Sequence, residues 1–429
     1  MSKIKLYLTT LLAAAIALPS CKKDYENPNQ PTYEDVFTDE RAVTAVATGL
    51  QQIYSTTAAG SLYALVNANG FVTNELILRN AGNIPELQLS TGGNAIDATN
   101  TVLLNVWSRS NKIIYEADSV IRYASRLQDR SYASGLISFV SIYKALSIGH
   151  LSMFWENIPD TTGQNVNFID RIQGFQKAVA VIDNAIAWYT SNAPNSVVTA
   201  RLPSEVDILN TLYALKARYL LYAGDNVGAL AAAQMVDLAK KSTLNFTSLT
   251  LNPVFESATA TNNVFQPIDS TLGLPPAIAP DLNDQRIPFY IGINPTIAPR
   301  YRIKGFYAAG TTQVPLYLPG EIMLIKAEAY ARQDMLPEAV TELNNVVTKA
   351  PGEDIYGVGA DLPAFASSDK QEILTEIYRQ RCIELFMSGL KLEDMRRFER
   401  PVEERKRNFF PYPFAERDNN PNTPDDPTF

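Results

Sequence analysis

The sequence predicts an all-α fold: a scaffold of paired, TPR-like helical hairpins carrying one large irregular, loop-rich lobe. Three observations predict it. Apolar residues recur at three- and four-residue spacing in long stretches towards both ends of the chain. An alanine-rich helix–turn–helix pattern occurs twice, 110 residues apart. Nine prolines crowd into residues 240–318, where no helix of ordinary length survives.

The N-terminus reads as an export signal over residues 1–20. Lys3 and Lys5 form a positive start, and Leu6 to Leu18 is an uncharged stretch of 13 residues. A bilayer span needs about 20. The stretch ends in Leu18-Pro19-Ser20-Cys21, which resembles the lipobox of bacterial lipoproteins. That resemblance implies cleavage before Cys21, a diacylated Cys21 thiol and an acylated amine. Each buried CH₂ of such chains contributes about 0.8 kcal/mol of membrane affinity. The alternative is a plain signal peptide with an incidental cysteine. Position favours the lipobox, because Cys21 is the only cysteine in the first 380 residues. Loss of Lys3 and Lys5 takes the formal charge from -8 to -10.

Residues 21–35 read as a polar tether. Asp39 and Glu40 then open a helix to about Tyr54, buried along Val43, Val46, Ala47, Leu50 and Ile53. Residues 56–98, rich in Gly, Asn and Thr, read as a long irregular excursion with one short helix. Helices are expected over about 100–127, 133–154, 172–191 and 204–222, with another from about 226. Ala217, Gly224, Asp225 and Ala229 are echoed by Ala327, Asp334 and Ala339. Small residues on facing surfaces and a short polar turn are the logic of tetratricopeptide (TPR) units. Residues 369–398 return to helix. By composition alone, the Pro- and Asn-rich end from Phe410 reads as a disordered tail.

Composition excludes several functions. The acidic balance argues against nucleic acid, which wants a basic face. A single histidine excludes nearly every multi-histidine metal site, and His150 lies in an apolar helix, where it reads as a packed core residue. Carboxylate pairs such as Glu353-Asp354 arise by chance among 45 acids, so they give glycosidase chemistry no specific support. Cys382 reads as buried and structural. Arg381, Glu384, Asp394, Arg396 and Arg397 form a dense charged block, to be read either as a ligand-facing patch or as salt bridges between helices. Trp107, Trp155 and Trp188 fall in predicted helices and read as core.

Several blocks, taken in order, resemble the SusD/RagB family of outer-membrane nutrient-binding lipoproteins. They are Asp35-Val36-Phe37-Thr38 with Gly49-Leu50, Phe154-Trp155-Glu156-Asn157-Ile158-Pro159, Ala217 to Ala229, Leu324 to Tyr330, Arg381 to Phe398, and Phe410-Pro411-Tyr412-Pro413 with Asn420-Pro421-Asn422. Glu156 departs from the usual Gly, Cys382 from a common Arg and Ser388 from a common Glu. Lys22-Lys23-Asp24-Tyr25-Glu26 is similar to that group's surface-export tag.

The resemblance implies a SusD-like N-terminal helical region over 36–240 and a C-terminal region over 241–429. The latter would hold the ligand lobe (241–318), TPR-like helices (319–398) and a tail ordered to about Asn422. It also implies a non-enzymatic lipoprotein of the outer membrane, facing the cell exterior. Such a protein binds an oligomeric nutrient, a glycan or alternatively a peptide, and passes it to a SusC-like TonB-dependent transporter. A surface glycoside hydrolase is the rival reading. No cofactor, metal or nucleic acid is expected.

Sugar rings present apolar C–H faces that a tyrosine can cover while Asn and Arg bond the hydroxyls. The candidate ligand residues are therefore Tyr63, Asn67 and Asn74 in the first excursion, and Tyr290, Arg300, Tyr301 and Tyr307 in the proline-rich lobe.

Overall fold

The computed structural model describes Phe37 and residues 39–260, 263–296, 298 and 300–428. The export signal, Cys21 and the tether lie outside the described residues.

Helix α1 (Glu40–Ser55) starts where its sequence expects: the Asp39 carboxylate accepts the amides of Arg41 and Ala42, each at 3.3 Å. Helix α2 (Ser61–Val72) is where the reading of residues 56–98 falls short. It is buried on every side, so it shows no polar face to give the helical period away. A second helix, Ile84–Thr91, follows it.

Helix α3 (Thr101–Ala124) is capped by Asn100, whose side chain accepts from the amides of Val102 and Leu103. Helix α4 (Arg130–Phe154) is long and apolar enough to cross a membrane, yet it is buried almost throughout and runs through the core. Its Gly149 lets the helix that carries Tyr219 approach closely, since a Cβ there would sit 2.4 Å from the Tyr219 ring. Helix α5 (Arg171–Ser191) opens on a capping box between Asp170 and Gln173.

Helices α6 (Ile208–Tyr222) and α7 (Asn226–Gln234) form one hairpin; α8 (Pro319–Arg332) and α9 (Leu336–Val347) form another. The two echo each other in space as in sequence. Ala217, Ala229, Ala327 and Ala339 are all fully buried. Gly224 (φ 85°) and Asp334 (φ 63°) both take the left-handed conformation that reverses the chain. Helix α7 packs directly on α8, so the intervening 80-odd residues loop out between two adjoining hairpins. The last helical block is two helices, α10 (Lys370–Glu384) and α11 (Lys391–Arg397), separated by a turn with Met387 and Gly389 at positive φ.

The strands are short. They are β1 (Leu76–Leu78), β2 (Asn157–Pro159), β3 (Phe168–Asp170), β4 (Thr243–Leu244), β5 (Phe265–Pro267), β6 (Ile291–Ile293), β7 (Tyr301–Ile303) and β8 (Val314–Pro315). They pair antiparallel as β1–β5, β2–β3, β4–β8 and β6–β7. The β1–β5 ladder ties the first excursion to the proline-rich lobe.

The tail is ordered. Phe410 and Tyr412 are buried, the Trp155 indole N–H donates to the Pro411 carbonyl at 3.0 Å, and Tyr412 meets Trp107 edge-on. The Asn420 side chain donates to the Val166 carbonyl at 3.1 Å. Composition alone pointed the other way because prolines and asparagines that follow the contour of a packed surface look the same as those of a free tail.

Candidate ligand-binding lobe

Residues 241–318 sit on the scaffold through a buried polar clamp. The Arg286 guanidinium, fully buried, donates to Asp284 at 2.7 Å, to Glu384 at 3.0 Å and to Gln380. Lys349 reaches Asp354 at 2.6 Å and Glu384 at 3.2 Å. Burial presses the Lys349 ammonium downward, but Glu384 and Asp354 hold it above its ordinary range. A cation removed from water is tolerable only when fully paired, and both are.

The same clamp uses the tyrosines that sequence reasoning assigned to ligand. The Tyr290 hydroxyl donates to the Glu384 carbonyl at 2.5 Å, and that of Tyr307 to the Met387 carbonyl at 3.0 Å. Tyr63 donates to Glu86 at 2.9 Å. All three rings are buried, and so is Asn67, inside α2. These four side chains are buried and face away from solvent. The physical reason is general: an irregular segment has no periodic apolar stripe, so its scattered aromatics must supply its core.

Asn74 is half-buried, at positive φ, with its side chain donating to the Glu404 carbonyl at 3.0 Å; it shapes the turn after α2. Arg300 is exposed and Tyr301 partly so. They lie together on the β6–β7 hairpin, where Tyr301 pairs across the strands with Ile293, itself 68% exposed.

Beneath the lobe is an interior cavity of about 70 Å³, lined among others by Tyr54, His150, Arg218, Tyr307 and Glu321. It has room for water-sized molecules and none for a sugar chain. His150 Nε2 lies 3.3 Å from the Tyr54 hydroxyl. Burial, aided by the Arg218 charge, lowers His150 to about 3. Arg218 is held by both carboxylate oxygens of Glu321, at 2.6 and 2.7 Å.

The charged block near the C-terminus resolves as salt bridges. Arg381 meets Asp394 at 2.9 Å, and Arg397 meets both Glu328 and Asp394 at 2.6 Å. Burial alone would raise the Glu328 carboxyl, but Arg397, then Arg332 and Arg381, bring it down to about 2. Burial pushes the Cys382 thiol up to about 12, which leaves it without thiolate character. Trp107 and Trp155 are core. Trp188 is half-buried, with Arg130 stacked on its ring at 5.6 Å.

The fold, a helical-hairpin scaffold under an irregular lobe, is similar to that of solved SusD-like structures. A SusD homolog from Bacteroides thetaiotaomicron superposes with a TM-score of 0.74 at 12% identity, covering 93% of this chain and 99% of that one. A putative sugar-binding protein from Bacteroides vulgatus gives 0.69 at 13% identity, covering 90% and 98%. NanU of B. fragilis gives 0.67 at 12% identity, covering 94% and 99%. No family model matches the sequence, and no curated protein matches it either. The likeness is therefore one of fold, carried by the whole chain at low identity.

Proposed function

We propose that the mature protein is a non-enzymatic lipoprotein, anchored through Cys21 in the outer membrane and exposed to the cell exterior. Its lobe captures an oligosaccharide, which a SusC-like TonB-dependent transporter then takes up. One observation carries the reading: the near-complete overlap with SusD-like structures, several of them described as carbohydrate-binding or sugar-binding proteins. The sequence adds the lipobox and the polar tether, which suit a binding module held above a membrane. The ligand contacts we assign are Arg300, which is exposed, and Tyr301, which is half-buried next to it in the chain and keeps part of its surface open.

The test has two arms. Radiolabelled palmitate should attach to the full chain and be lost in Cys21→Ala. Titration calorimetry against an oligosaccharide panel should give binding that Tyr301→Ala weakens, with no turnover of the bound sugar. Absence of palmitate would sink the anchor. Turnover of any glycan would replace the binding reading with a hydrolase.

A further inference from the structure

From Gln285 to Gly320 the chain contains no Asp or Glu, although 45 of its 429 residues are acids. The same stretch holds Arg286, Arg300, Arg302 and Lys304. Arg286 is consumed by the clamp, which leaves three cations within five residues on a protein of formal charge -8.

Strand geometry puts those three on one side. In β7, alternate residues share a face, about 7 Å apart. Ile303 pairs with Ile291 and Tyr301 with Ile293; the first pair is buried against the lobe. The opposite face then belongs to Arg302, which pairs with Gly292. The pairing extends one step further, since the Asn294 amide donates to the Arg300 carbonyl at 2.6 Å. Arg300 therefore precedes Arg302 on the outer face.

Gly292 keeps that face open. A Cβ there would lie 3.1 Å from the Lys304 side chain and 3.8 Å from Arg302, so Lys304 runs along the same surface. Among the described residues, neither Arg300 nor Arg302 has a side-chain hydrogen bond or an ion pair, and Lys304 bonds only the Pro288 carbonyl, at 2.8 Å. Arg79 comes in from the first excursion and donates to the Ala298 carbonyl at the hairpin loop, adding a fourth cation.

Lys304 and Arg79 each hold a backbone carbonyl, and the Arg300 and Arg302 guanidinium groups are left over. Arg218, Arg286, Lys349 and Arg381, buried in the scaffold, are each paired with carboxylates, whereas Arg300 and Arg302 share one outward face with no carboxylate partner among the described residues. We infer that the outer face of the β6–β7 hairpin binds an anionic oligosaccharide, one that bears carboxylate or sulfate groups. This rests on the glycan reading above and narrows it. The guanidinium fork suits both oxyanions, which share planar or tetrahedral oxygen pairs that accept two N–H groups at once.

The experiment is titration of the full chain with three probes: an oligogalacturonate, a chondroitin sulfate oligosaccharide and the neutral maltoheptaose. At least one charged probe should bind more tightly than maltoheptaose, and which one does so separates carboxylate from sulfate. Raising the salt concentration should weaken that binding, as screening demands for exposed charges. Arg300→Gln with Arg302→Gln should weaken it by about tenfold or more, since each lost contact to a charged group is worth roughly that factor. The control Lys112→Gln, on the exposed side of α3, should leave it unchanged.

All three cationic positions are on the surface, so an unchanged melting temperature verifies folding of the variant. Equal binding of maltoheptaose, insensitive to salt and to the double substitution, would overturn the charge inference and leave the glycan reading intact. Failure of all three probes to bind would overturn the charge inference, and failure of the wider neutral panel as well would take the glycan reading with it.

Discussion

Lowering the pH from 7 to 5 should destabilise this protein through one side chain. His150 is the only histidine in the chain. It is buried in α4 beside Tyr54, with the Arg218 charge near and its Nδ1 without a partner among the described residues. Its folded-state value, about 3, lies below the ordinary value of 6.5. The folded state thus resists a proton that the unfolded chain accepts. The contribution is intact above pH 6.5 and is lost progressively as pH falls towards 3. At pH 5 the loss spans about 1.5 units, or about 2 kcal/mol at roughly 1.36 kcal/mol per unit.

Glu75 works in the opposite direction, because burial pushes its carboxyl up. A variant comparison therefore isolates the histidine. Urea unfolding of the chain from residue 22 onward, followed at pH 7 and pH 5, should show His150→Gln losing about 2 kcal/mol less than the wild type. Equal losses in the two proteins would refute a neutral, buried His150.

Three further outcomes follow from the packing. Glu384→Ala removes the acceptor shared by Arg286 and Lys349, leaving two buried cations underpaired; the expected cost is about 3–5 kcal/mol in chemical unfolding. Gly149→Ala places a methyl 2.4 Å from the Tyr219 ring, forcing α4 and α6 apart at a cost of about 1–3 kcal/mol, read as a lower urea midpoint. Tyr412→Ala empties the site between Trp107 and Phe168 and should cost about 3 kcal/mol, with a change in tryptophan fluorescence that a merely disordered tail would not produce.

Much of the scaffold is legible in the sequence because helices that bury one stripe advertise it. The stripe of α1, the caps at Asp39 and Asn100 and the paired alanines of the two hairpins are local signals, readable a few residues at a time. Helix α2 hides from the same reading because it is buried all round. The break between α10 and α11 carries one local signal, Gly389 at positive φ, while its other left-handed residue, Met387, does not announce a turn.

The site is a different matter. Sequence alone determined that the lobe is irregular, aromatic and acid-free over Gln285 to Gly320, since composition is a property of the chain itself. Which aromatics face outward was decided only by tertiary structure. Tyr290 and Tyr301 are equivalent as letters, yet Tyr290 is buried and donates to a carbonyl on α10, 94 residues away, while Tyr301 is left half-buried on the β6–β7 hairpin. The physical reason is that loop side chains are oriented by distant partners, whereas helical side chains are oriented by their own neighbours three and four residues along the chain.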